Sequence, residues 1–73
     1  MTETSRTIRV KVNGSQQELA VASTLEALLE ALGMSGRRVA VEVNEQVIPR
    51  SDYPRTTLHD GDDVEIIRAI GGG

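Results

Sequence analysis

Residues Arg6 to Val12 alternate strictly between polar and apolar, and the run feeds straight into Asn13-Gly14. Ile8, Val10 and Val12 fall on one side and Arg9 and Lys11 on the other, the pattern of a half-buried strand. Asn-Gly is the pair best suited to the positive φ angles of a two-residue type I′ turn. Counting back from that turn sets Val12 opposite Ser15, Val10 opposite Gln17 and Ile8 opposite Leu19. Leu19 and Val21 then share the apolar face of Ile8 and Val10. A hairpin of this kind is not stable alone in water, so the rest of the chain must supply further strands or a cover for that face.

The cover follows at once. Ser23-Thr24-Leu25-Glu26 reads as a Ser-x-x-Glu capping box, with Ser23 and Glu26 satisfying the first free helix N–H groups. Leu25, Leu28, Leu29 and Leu32 then repeat at i, i+3, i+4 and i+7, the apolar stripe of an amphipathic helix. Gly33 stands where such a helix ends. Val39, Val41 and Val43 alternate again as a third strand. Asn44-Glu45-Gln46 reads as a tight turn into a short fourth strand at Val47-Ile48. Pro49 and Pro54 bracket a segment without periodicity, expected to be an irregular crossover. Asp60-Gly61 is a turn, Val64 to Ile70 is the last strand, and Arg37-Arg38 reads as the solvated start of a strand.

This order predicts an α+β fold: a mixed sheet of four to five strands with one main helix across one face. The first and last strands are expected side by side in its centre. With 73 residues, one domain is near the lower size for a self-sufficient core. The expected organisation is a polar N-terminal lead at 1–5, a folded body at 6–70 and a flexible glycine tail at 71–73. Along the last strand, Val64 and Ile66 point at the helix, while Glu65, Ile67 and Ala69 face the other way. Ile67 beside Ala69 reads either as a scattered surface hydrophobe or as part of a docking patch continued by Ile70.

Most chemistry is missing. Tyr53 is the only aromatic residue, and the net charge is −3, so neither base stacking nor a basic phosphate-binding face is available; no nucleic-acid partner is expected. The absence of cysteine removes disulfides, thiolate metal sites, iron–sulfur clusters and nucleophilic thiols. His59 has no partner for acid–base work. Asp60, Asp62 and Asp63 lack the further ligands of a calcium loop. The glycines do not form a phosphate-binding loop. No catalytic residue, metal or cofactor is expected. The polar start and the lack of a long apolar run argue against a signal peptide and a membrane span, which makes the cytoplasm the expected location.

What remains addressable is the end, Ile70-Gly71-Gly72-Gly73. Terminal glycines add no buried surface and lose the most entropy on ordering, so they serve packing poorly. They can, however, enter a slot too narrow for side chains, carrying the Gly73 carboxylate about 10 Å beyond the last anchored residue. A frayed end is the alternative reading. Adenylation would give the inert carboxylate a leaving group, after which sulfur could replace oxygen.

Together, Val43-Asn44-Glu45-Gln46-Val47-Ile48-Pro49-Arg50, Asp60-Gly61-Asp62 and Ile70-Gly71-Gly72-Gly73 resemble the ThiS-type sulfur carrier proteins of thiamine biosynthesis, from about Ile8 to Gly73. That family usually ends in Gly-Gly after a small residue, a position Gly71 fills. The resemblance implies a ubiquitin-like β-grasp fold. It implies that Gly73 is adenylated by a ThiF-type E1-like enzyme and converted to a thiocarboxylate, with Gly71 and Gly72 threading the tail into partner enzymes. A cysteine desulfurase relay would supply the sulfur, and a ThiG-type thiazole synthase would receive it. The carrier itself would be a co-substrate, not an enzyme. Alternatives are a molybdopterin-synthase small subunit, a carrier for tRNA thiolation, a ubiquitin-like modifier linked through Gly73, and a plain β-grasp interaction module.

Overall fold

The computed structural model describes residues 6–36 and 38–68. The 1–5 lead, Arg37, the end of the expected last strand at Ala69 and Ile70, and the Gly71–Gly73 tail lie outside the described residues. The strands are β1 (Thr7–Val12), β2 (Ser15–Ala20), β3 (Val39–Val43), β4 (Gln46–Ile48) and β5 (Asp63–Arg68), with one α-helix, α1 (Leu25–Ala31), between β2 and β3. They form one mixed sheet in the order β2-β1-β5-β3-β4. The expected α+β architecture is therefore present, with first and last strands adjacent and parallel.

The first hairpin has the predicted register, including Val12 opposite Ser15 and Ile8 opposite Leu19. Asn13 and Gly14 both have positive φ, 50° and 87°. The turn repeats between β3 and β4, where Asn44 and Glu45 take φ of 51° and 69°. One expectation fails here: Val21 lies past the end of β2 and is half exposed rather than packed with Ile8 and Val10. Its N–H still reaches the Arg6 carbonyl, but Ala22 at φ 70° turns the chain away from the sheet toward the helix.

The helix starts one residue later than the capping-box reading. Thr24, not Ser23, is the N-cap: its extended backbone positions the hydroxyl oxygen to accept from the Ala27 N–H at 3.1 Å. Ser23 cannot fill that role because its hydroxyl donates to the Ala20 carbonyl, and its own carbonyl accepts from Leu58 N–H. Position N3 is then Ala27, so Glu26 has no reciprocal cap to make. The C-terminus follows the Schellman pattern around Gly33 (φ 74°): Met34 N–H bonds to the Leu29 carbonyl and Gly33 N–H to that of Glu30.

Leu25, Leu28 and Leu29 bury their side chains against Ile8, Val10, Val12, Val41, Val64 and Ile66 of the sheet, with Leu32 at the margin. The Pro49–Pro54 segment is not irregular: Arg50–Arg55 form a 3₁₀ helix, with Pro49 extended just before it. A period of three carries no amphipathic signature, so only its product is visible, the buried Tyr53. Tyr53 donates its hydroxyl to the Val39 carbonyl at 3.3 Å. Leu58, almost fully buried, pins the following loop beneath the start of α1, where Thr24 bridges Thr57.

Candidate functional site

The expected site is the chain beyond β5, so the question at the level of structure is how β5 is held and what surrounds its exit. Backbone pairing of β1 with β5 covers only Lys11–Asp63 and Val12–Val64. Asn13 extends it with its side chain. The amide oxygen accepts from Ile66 N–H at 2.8 Å and the amide nitrogen donates to the Ile66 carbonyl at 3.2 Å. The Asn13 backbone N–H also donates to the Val64 carbonyl.

The second hairpin does the same from the other flank. Asn44 N–H donates to the Asp63 carbonyl, and its side-chain oxygen accepts from Asp63 N–H at 3.0 Å. Its amide nitrogen donates to Asp62 Oδ1. Asp62 in turn uses Oδ2 to accept from His59 N–H at 2.8 Å, and Asp60 Oδ1 accepts from Arg9 N–H at 2.8 Å. Two asparagines, each opening a left-handed two-residue turn, thus grip the strand that leads to the tail. The acidic turn ahead of β5 is drawn into the same network.

Among the described residues, nothing covers the face of the sheet opposite α1. On it, the antiparallel register places Ala40 beside Ile67 and sets Val47, Glu42 and Glu65 in one row. Ile67 is 53% exposed and Val47 70%. The proposed docking residue Ile67 is therefore an exposed apolar side chain next to the last described residue, Arg68. Its suggested companions Ala69 and Ile70, and the tail Gly71, Gly72 and Gly73, lie outside the described residues.

At the sheet end where β5 leaves, a shallow depression is lined by Arg38, Val39, Ala40, Arg50, Ile67 and Arg68. The antiparallel pairing of Val39 with Arg68 brings the start of β3 to this point, and the chain leaving β4 adds Arg50. At the other end of the same sheet, Glu42, Glu45, Asp63 and Glu65 line a second depression. Sequence reasoning placed neither the two asparagine side chains nor the convergence of three arginines. The first had a signal: Val12-Asn13 and Val43-Asn44 repeat the same strand-to-turn step. The second had none, because residues 38, 50 and 68 meet only through the sheet order.

The ThiS family model matches residues 10–73. The sulfur carrier protein ThiS of Thermus thermophilus is 36% identical over 64 residues, spanning 88% of this chain and 98% of the relative. A crystal structure of the thiamine biosynthesis protein ThiS from Geobacter metallireducens superposes with a TM-score of 0.77 at 35% identity, over 90% of this chain and all of the other. A thiazole synthase of Paramagnetospirillum magneticum is 41% identical over 66 residues, 90% of this chain. The chain spans only about a fifth of that relative's length, 20%.

Proposed function

Because the chain belongs to the ThiS family of sulfur carriers, with the ubiquitin-like β-grasp fold, we propose that its Gly73 carboxylate is the group that is activated and loaded with sulfur. The observation that carries this reading is the family match running through the glycine tail to residue 73. Gly73 attacks the α-phosphorus of ATP on a ThiF-type E1-like enzyme, forming an acyl adenylate and releasing pyrophosphate. The outer sulfur of a persulfide, supplied through a cysteine desulfurase relay, displaces AMP to give an acyl disulfide. A second thiol then attacks the relay cysteine's sulfur, forming a disulfide with it and releasing the thiocarboxylate. Gly71 and Gly72 present the narrow backbone that passes through the enzyme slot. The carrier contributes no catalytic side chain.

Delivery to a ThiG-type thiazole synthase is supported by thiazole synthases that contain a stretch similar to most of this chain. Such a carrier acts in the cytoplasm; among the described residues, no helix is long and apolar enough to cross a membrane. The test is intact mass spectrometry of the full chain incubated with ATP, the adenylating enzyme of the same organism and a sulfur donor. The expected result is the exchange of one oxygen for sulfur, absent when Gly73 is deleted. An unchanged mass with an enzyme that consumes ATP on its own carrier overturns the reading.

A further inference from the structure

The depression where β5 ends is lined by the apolar Ile67, Ala40 and Val39 together with Arg38, Arg50 and Arg68. All three arginines are exposed, and among the described residues none has a carboxylate within ion-pair distance. Three cations without an ion-pair partner among the described residues thus gather at one point on a chain whose net charge is −3. The opposite end of the sheet carries the compensating excess, Glu42, Glu45, Asp63 and Glu65. The molecule is therefore polarised along β5. From Asp63 to Arg68 the strand advances about 16 Å, longer than the screening length of about 8 Å at physiological salt, so a partner feels the two ends separately.

We infer that this arginine-lined depression is the docking point for an acidic rim around the slot of the adenylating enzyme, with Ile67 taking an apolar knob. The inference rests on the carrier reading above, and names what recognises the body while the tail is threaded. When the tail is threaded into a slot, its five residues can carry the Gly73 carboxylate as far as about 17 Å beyond Arg68, so the arginines are assigned to docking and not to the chemistry. Charges at such a rim act mainly on the rate and orientation of encounter, and guanidinium forks suit carboxylates in particular. The acidic far end reinforces the direction, since it repels the same acidic rim and disfavours docking with the carrier reversed.

The experiment measures association of the full chain with the adenylating enzyme of the same organism, by stopped flow across a salt series. Wild type is compared with Arg38→Glu, Arg50→Glu and Arg68→Glu, singly and combined, and with the milder Arg→Gln set. Circular dichroism checks that each variant is folded. For wild type, association should be fast at low salt and slow as salt rises. The triple reversal should lower the low-salt rate about tenfold and abolish the salt dependence, with the Gln set in between. Equal rates for wild type and the triple reversal overturn the inference, and they leave the carrier reading intact if wild type still gains sulfur. Wild type that binds in this salt-dependent way but never gains sulfur overturns the carrier reading alone. Concentration-dependent self-association of wild type, lost in the triple reversal, assigns the depression to a second copy of the chain and also overturns the inference.

Discussion

Asn13 holds Ile66 by both its N–H and its carbonyl, which a backbone residue would do in a longer strand. Asn13→Ala removes both bonds and leaves a non-glycine residue at φ 50° without the side chain that tolerates it. We expect a loss of about 1–3 kcal/mol in urea unfolding. Asn13→Asp keeps the acceptor for Ile66 N–H but turns the donor into an oxygen facing the Ile66 carbonyl, so it should not rescue the loss. At the matching turn the polarity of the argument reverses. Glu45 sits at φ 69° with no bond that needs its side chain among the described residues, and Glu45→Gly should raise stability by about 0.5–1 kcal/mol in the same assay. The two turns look alike in the backbone and differ in which residue type the conformation favours.

Between elements, the helix start and the sheet face give the sharpest tests. Thr24→Ala should cost about 1 kcal/mol in thermal or urea unfolding, whereas Ser23→Ala should cost only a few tenths, since the cap hydroxyl belongs to Thr24. The reverse ranking would restore the capping box read from sequence. On the bare face, Glu42 and Glu65 stand directly opposite each other. Like charges in that position are destabilising by roughly 0.2–1 kcal/mol, so Glu65→Gln should stabilise, and more so at low salt. These tests also mark what the sequence made legible. The β1–β2 hairpin, the leucine stripe and Gly33 were readable because each depends on local spacing. The cap was misplaced by one residue because Ser23 and Thr24 are chemically equivalent as candidates. Ser23 is committed elsewhere, its hydroxyl to the Ala20 carbonyl and its own carbonyl to the N–H of the distant Leu58. The 3₁₀ turn around Tyr53 was not legible because a period of three leaves no amphipathic signature, and the three arginines were not because they meet only through the sheet order.

For the molecule as a whole, the buried core runs from Ile8 to Ile66 among the described residues. That core lies upstream of the glycines to which the proposed chemistry is assigned. Removing Gly71–Gly73 should shift the thermal midpoint by less than about 3 °C, the scale of a few tenths of a kcal/mol in a domain this small, while abolishing sulfur loading. A large drop in the midpoint would mean the tail also contributes to the fold. The expected site residues follow the same division. Ile67 could be judged from the sheet register, whereas the role assigned to Gly73 rests on family membership and its chemistry.

Tyr53 has one further consequence. It is the chain's only aromatic residue, it is buried, and its hydroxyl is tied to the Val39 carbonyl. With no tryptophan present, the whole intrinsic emission of the protein comes from this one phenol. With a tryptophan-free partner, it is a built-in optical gauge next to the start of β3. No label has to be attached to the surface that the partner is meant to recognise.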